Sequence, residues 1–204
     1  GYEIAYVPYY TKSGVYTVPS IVTVIPTNAF RSCSKIEEII IPATVEAIQD
    51  TAFYSCSKLT KITFLEPEEG QTAKEITLGS KVFQSNTVLA EVNLPARLTS
   101  FNPDVFTSCS ALTTVNIVGT YENQKYASID GVLFNVDKTE LIFYPRAKEG
   151  SYTTPTGVAT IKTSAFEGAK GLTEINISGE VTLIEENAFK SCTALETINF
   201  LGQA

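Results

Sequence analysis

The 204-residue chain has no histidine, which removes the commonest general base, the usual serine and cysteine triads and the most frequent zinc ligand. Positive charge is scarce. Fifteen Lys and Arg against 22 Asp and Glu give a net charge of -7 and a pI near 4.7, with no basic cluster. That balance repels a phosphate backbone and sets nucleic acid aside. No stretch approaches the roughly 18 consecutive apolar residues of a membrane-spanning helix. Gly1 opens without the basic and apolar regions of a secretory signal. What the chain does have is 44% apolar composition, within the globular range and enough for one sizeable core or two small ones.

Those apolar residues recur. "SCSKIEEIII" from Ser32 is nearly restated as "SCSKLTKITF" from Ser55. Counted from the Phe that precedes each Cys by three, Phe30 and Phe53 are 23 residues apart, as are Phe83 and Phe106, and Phe166 and Phe189. Three residues after these six stand Cys33, Cys56, Asn86, Cys109, Ala169 and Cys192; six after stand Ile36, Leu59, Leu89, Leu112, Leu172 and Leu195. Nine and eleven residues after, every position is apolar, from Ile39 and Ile41 to Ile198 and Phe200. A period of this length marks a solenoid, in which each coil buries its apolar residues only against neighbouring coils.

Each unit reads as short strand, turn, short strand. "LTKITF", "LTEINI" and "LETINF" alternate apolar and polar residues with period two, the pattern of a strand with one face inward, stacked as a parallel sheet. The "AF..C..L" portion spaces its apolar residues by three and predicts one or two turns of helix, far shorter than the ~12 residues an isolated helix needs. The expected organisation is one domain over 1–204: a partial coil at 1–20, repeats near 21–42, 43–65, 66–95 and 96–118, a modified coil at 119–155, and repeats at 156–178 and 179–201. A seven-residue surplus between Phe53 and Phe83, around "EPEEGQTAKE" from Glu66, predicts a surface loop. "SIDGVLFNVDKTELIFYP" predicts a β-hairpin about the polar turn "NVDKTE". "EIAYVP" from Glu3 matches "ELIFYP" from Glu140, so the chain opens inside a coil and is expected to extend upstream. It stops after "INFLGQA" without a polar cap, so further repeats are expected to follow.

Polar candidates are weighed against simpler roles. Homologous positions on adjacent coils lie about 4.8 Å apart, within disulfide range for Cys33 and Cys56. Their side-chain vectors run parallel, however, and Asn86 and Ala169 share the slot, so buried free thiols are expected. Four cysteines spread along a solenoid cannot converge on zinc, and no metal or cofactor is expected. The adjacent carboxylates Glu37 and Glu38, Glu68 and Glu69, and Glu185 and Glu186 lack the geometry of an acid–base pair. Calcium at the Glu66 to Glu69 loop, or near Asp130 and Asp137, would lack the spaced oxygen ligands of a calcium loop. No catalytic residue is assigned. Tyr2, Tyr6, Tyr9, Tyr10, Tyr16, Tyr121, Tyr126, Tyr144 and Tyr152 crowd the start and the hairpin, where they either anchor an interface or pack the irregular coil.

The best candidate surface is the outward face of the stacked strands, eight and ten residues after each Phe: Glu38 and Ile40, Lys61 and Thr63, Glu91 and Asn93, Thr114 and Asn116, Glu174 and Asn176, Thr197 and Asn199. This face either reads a protein or glycan through many modest hydrogen bonds, or forms an amide ladder that ties coil to coil.

"AF..C..L..I.I" with "P..V..I" leading into the next unit resembles the BspA-type leucine-rich repeats of bacterial surface proteins, and "DGVLFNVDKTELIFYP" is similar to that family's hairpin-bearing unit. The chain departs from the pattern in the seven-residue surplus, in Asn86 and Ala169, and in having Pro after the strand only at Pro42 and Pro95. The resemblance implies a leucine-rich-repeat solenoid, a right-handed α/β-type superhelix of short parallel strands and helical turns, with one coil bearing a β-hairpin. It also implies display on, or secretion from, a bacterium. The expected function is a non-enzymatic adhesion module whose partner is a host matrix protein, a bacterial surface protein or a glycan, with no nucleic acid and no membrane insertion. The alternative is a passive spacer that displays another domain.

Overall fold

The computed structural model describes residues 2–3, 14–67, 72 and 74–202. Tyr6, Tyr9, Tyr10, the "IAYVP" stretch, Glu68 and Glu69 lie outside the described residues, and of Tyr2 only the backbone is described. The chain divides into two compact units, one formed by Gly1–Ala111 with Ile117–Lys125 and the other by Leu112–Asn116 with Tyr126–Ala204.

In the first unit, β1 (Tyr2–Glu3), β3 (Val22–Ile25), β5 (Ala47–Ile48), β7 (Ile76–Leu78) and β9 (Leu98–Ser100) follow one another in a parallel sheet. The longer strands β2 (Gly14–Thr17), β4 (Ile36–Ile41), β6 (Lys61–Phe64) and β8 (Glu91–Pro95) form a second parallel sheet in the same sequence of coils. β10 (Thr114–Val118) is shared between the units. In the second unit, β14 (Gly150–Thr153), β16 (Leu172–Ile177) and β18 (Thr197–Phe200) make the long-strand sheet. The short-strand sheet there is β11 (Tyr126–Ile129), β12 (Val132–Asn135), β13 (Glu140–Phe143), β15 (Thr160–Ile161) and β17 (Leu183–Ile184).

The expected hairpin is present as antiparallel β12 and β13. It is preceded by β11, which pairs with β12 across Asp130 and Gly131, both at positive φ (50° and 76°). Two left-handed residues in a row give the twist that a two-residue hairpin needs. The kinship of the two irregular coils is visible in the backbone. Gly14 and Gly150 both have positive φ, and each begins a strand that joins the next coil with the same register shift. The amides of Val18 and Thr154 each donate to the next coil, to Ile40 and Asn176, at 2.9 Å.

Where the spacing predicts short helices, the described residues instead hold successive tight turns, and the one short 3-10 helix is Pro103–Phe106. The reason lies in the backbone. Asn28 and Ser32, two residues either side of Phe30, have φ near +60°, as do Thr51 and Ser55 about Phe53, and Lys81 and Ser85 about Phe83. A left-handed residue every fourth position stops helix propagation. The amides then alternate in direction. Those of Ala29, Arg31 and Cys33 close local turns onto Pro26, Asn28 and Phe30, while those of Asn28, Phe30 and Ser32 donate to Asp50, Ala52 and Tyr54 of the next coil. This third side of each coil is therefore a ladder too, and its backbone groups are satisfied without a helix.

Aromatic columns fill the interior. In the first unit Phe30, Phe53, Phe83 and Phe106 stack at successive centroid distances of 5.0, 5.5 and 5.7 Å with interplanar angles of 17° or less. All four are fully buried. In the second unit Phe166 stacks on Phe189 at 5.0 Å and on Tyr144 at 4.8 Å. Tyr144 thus holds the phenylalanine rung of the hairpin coil, and its amide donates to Ala165 as Phe166 donates to Ala188. At the last coil the core positions are open: Ile184, Ile198 and Phe200 are exposed, whereas Ile161, Ile175 and Ile177 one coil earlier are buried.

Candidate binding face

On the long strands, period two sends Ile39, Ile62 and Val92 inward to full burial and leaves residues on either side facing out. Parallel register then aligns the outward residues: Glu38 beside Lys61, Ile40 beside Thr63, and Thr63 beside Asn93 in the first unit; Glu174 beside Thr197 and Asn176 beside Asn199 in the second. Glu91 and Asn93 lie on β8, and Thr114 and Asn116 on β10. Glu38, Ile40, Lys61, Thr63, Glu91 and Asn93 are therefore brought together in one unit, and Glu174, Asn176, Thr197 and Asn199 in the other.

These side chains hold one another. Lys61 Nζ sits 3.0 Å from Glu38 Oε1, and Thr63 Oγ1 donates to the same carboxylate at 2.6 Å. The Thr63 hydroxyl, and then Lys61, keep the Glu38 carboxyl below the usual carboxylate range. Asn93 Nδ2 donates to Glu91 Oε1 along its own strand at 3.1 Å. In the second unit Asn199 Nδ2 donates to Glu174 Oε1 at 3.0 Å and to Asn176 Oδ1 at 2.9 Å. An amide ladder thus exists between Asn176 and Asn199, and Asn93 also meets a carboxylate on its own strand. Hydrogen bonds and one ion pair thus tie several of the outward groups to one another.

The cysteine slot lies behind this face. All four cysteines are free, and their thiols carry specific contacts. Cys56, Cys109 and Cys192 each donate Sγ–H to the carbonyl of the preceding coil's phenylalanine, Phe30, Phe83 and Phe166, at 3.0–3.1 Å. Asn86 extends the same device: its Nδ2 donates to Phe53 and Phe83 carbonyls at 3.0 and 2.9 Å, and its Oδ1 accepts the Cys56 amide at 2.8 Å. Burial pushes the Cys56 thiol up to about 12, with Cys33 adding to the effect, so it is unreactive at neutral pH. Among the described residues, no group of three His, Cys, Asp or Glu side chains could hold a metal ion, and no helix is long and apolar enough to cross a membrane.

The model of the BspA type leucine-rich repeat region matches six times, over residues 6–131 and 140–203. The chain belongs to the BspA-type leucine-rich repeat family. Its solenoid is similar to the pneumococcal vaccine antigen PcpA, with 27% identity and a TM-score of 0.71 over 91% of this chain and 50% of that one. It is also similar to a leucine-rich repeat protein from Eubacterium ventriosum, with 26% identity and a TM-score of 0.61 over 95% of this chain and 64% of that one. The chain therefore spans half to two thirds of the length of these structures. No curated protein matches it.

Within this BspA-type solenoid, counting from phenylalanine misses several outward residues. Val15 and Thr17 extend the columns of Glu38 and Ile40, and Ser151 and Thr153 those of Glu174 and Asn176. Their coils lack the marker Phe, although the shared "GVYT" and "GSYT" would have revealed them. The tyrosines that the structure describes go mainly to packing. Tyr16 meets Phe30 edge-on at 5.1 Å, and Tyr152 lies tilted at 5.8 Å from Phe166. Burial pushes the Tyr144 hydroxyl up to about 12 and raises that of Tyr152 as well.

The repeat pattern also gives no hint of Arg97. It is 2% exposed and donates Nη1 to Val45 O, two coils back, at 3.0 Å and to Lys74 O at 2.8 Å. The guanidinium joins carbonyls of two different coils, with desolvation lowering its pKa and Glu66 and Tyr121 opposing that.

Proposed function

We propose that the chain is a non-enzymatic binding or adhesion module, surface-displayed or secreted by a bacterium, which recognises a host matrix protein, a bacterial surface protein or a glycan across the repeated strand face. The observation that carries this reading is the ordered outward row. Glu38 is held by both Lys61 and Thr63, and Asn199 bridges Glu174 and Asn176, so charge and amide groups are fixed at one-strand intervals before a partner arrives. The kinship with PcpA, described as a vaccine antigen, supports exposure to the outside. The rival reading, a spacer that displays another domain, draws on the self-satisfied amide pair of Asn176 and Asn199.

An array of glycans and host matrix proteins probed with the purified chain tests the reading, followed by Glu91→Lys and Glu174→Lys on any hit. Reversal of rim charges should change capture several-fold and alter its salt dependence. Capture that is indifferent to both reversals favours the spacer.

A further inference from the structure

The long strands β2, β4, β6 and β8 pair from coil to coil in the first unit, as do β14, β16 and β18 in the second. That succession breaks at the hairpin coil. β14 is the next long strand after β10 along the chain, yet no ladder joins them. Thr114–Asn116 of β10, the hairpin and β14 all belong to the second unit, and within it the Asp130–Gly131 turn is pressed onto β10. The amide of Val115, the counterpart of Ile39 in β4, donates to Gly131 O at 2.9 Å. A Cβ at Gly131 would fall 2.9 Å from Thr114 Cγ2 and 3.1 Å from Thr114 Cα, so the missing side chain is what lets the turn come so close. Lys148 Nζ also holds the turn, donating to Asp130 O at 2.9 Å. The turn thus takes the main-chain bond on β10 that a regular coil gives to its next strand.

β14 is thereby left with an unpaired edge. In a parallel pair, alternate residues of a strand turn both N–H and C=O toward the same neighbour. Gly150 and Thr154 donate to Gly171 O and Asn176 O, so Gly150, Tyr152 and Thr154 face β16, and Ser151 and Thr153 turn their main-chain groups the other way. Those groups make no hydrogen bond among the described residues, and both residues are exposed. Set two residues apart on an extended strand, they form a row of donors and acceptors that another extended backbone matches group for group. The rest of the sheet defines what that backbone should be. On its other edge β14 takes β16 in parallel, and β16 sends Ile175 and Ile177 to full burial with Glu174 and Asn176 outward. A strand of the same alternation would continue the sheet across the break. We infer that the free edge of β14 is a docking site for an extended peptide of alternating apolar and polar residues, which joins the sheet in parallel through Ser151 and Thr153. The site uses main-chain groups and is independent of the outward side-chain row.

A synthetic peptide with the sequence of Leu172–Ser178, the strand that β14 already accepts on its other edge, tests this by NMR hydrogen exchange on the labelled chain. Without peptide, the amides of Ser151 and Thr153 should exchange fast and that of Tyr152, which faces β16, slowly. With peptide in excess, exchange at Ser151 and Thr153 should slow about tenfold, equivalent to about 1.4 kcal/mol. The same peptide N-methylated at both isoleucines lacks the donors that a parallel strand turns toward β14, and should have no effect. Thr153→Pro removes one free N–H where an edge strand tolerates proline. It should lessen the slowing at Ser151 several-fold, while the amide of Thr154, bonded to Asn176, stays protected. Slow exchange at Ser151 and Thr153 in the free chain, no slowing with excess peptide, equal slowing by the N-methylated peptide, or protection confined to Ile198 and Phe200 on β18 would each overturn the inference.

Discussion

Phe53→Ala perturbs the element on which every coil depends. Phe53 is fully buried and stacks on two rings, Phe30 at 5.0 Å and Phe83 at 5.5 Å, with angles of 17° and 9°. Truncation of a buried Phe costs about 3–5 kcal/mol through lost transfer and the cavity left behind. Two lost ring contacts, each about 0.5–1.5 kcal/mol beyond area, place this site at the top of that range. Phe189→Ala is the internal control. Phe189 is half-buried and stacks on Phe166 at 5.0 Å, so its loss should cost roughly half as much. Urea denaturation of both variants, with hydrogen exchange read coil by coil, measures the difference. Protection should fall at the amides of Phe30 and Phe53, whose acceptors are Ala52 and Val82, because each coil relies on its neighbours alone. Equal losses at Phe53 and Phe189, or a loss of protection spread evenly over both units, would refute the account of a column built rung by rung.

Asn86→Ala strands the buried Cys56 amide and the Phe53 carbonyl, and leaves the Phe83 carbonyl to the Cys109 thiol, at about 1–3 kcal/mol for each unsatisfied group. Asn86→Cys, which restores the thiol of the regular coils, should recover part of that loss in urea melts. Thr51 has φ 56°, a conformation costly for a β-branched side chain, while Asn28 and Asn187 take the equivalent place at 61° and 58°. Thr51→Asn should therefore raise the melting temperature by about 2–4 °C, for roughly 1 kcal/mol gained. The Glu185 carboxyl is held down to about 2 by the Lys162 ammonium and by the hydroxyl and amide of Thr163. Because its folded pKa lies below the unfolded one, its contribution to stability is present above the ordinary carboxylate range and fades as pH falls toward 2. In Lys162→Met an NMR titration should find the Glu185 pKa moved back up.

The sequence by itself determined the solenoid, because burial in a stacked coil demands the same apolar residue at the same place each time, and that demand is written as a period. Phe30, Ile39 and Ile41 name their own counterparts down the chain. The outward positions were legible for the same reason, since alternation on a strand leaves no choice of face. Tertiary structure decided what a period cannot express. The "AF..C..L" stretch has helical spacing, yet left-handed Asn28 and Ser32 turn its amides toward the next coil, a choice that only the presence of that coil rewards. Tyr144 became a rung against Phe166, and Arg97 a bridge between carbonyls of different coils, because the groups they meet belong to neighbouring coils and are brought within reach only by stacking.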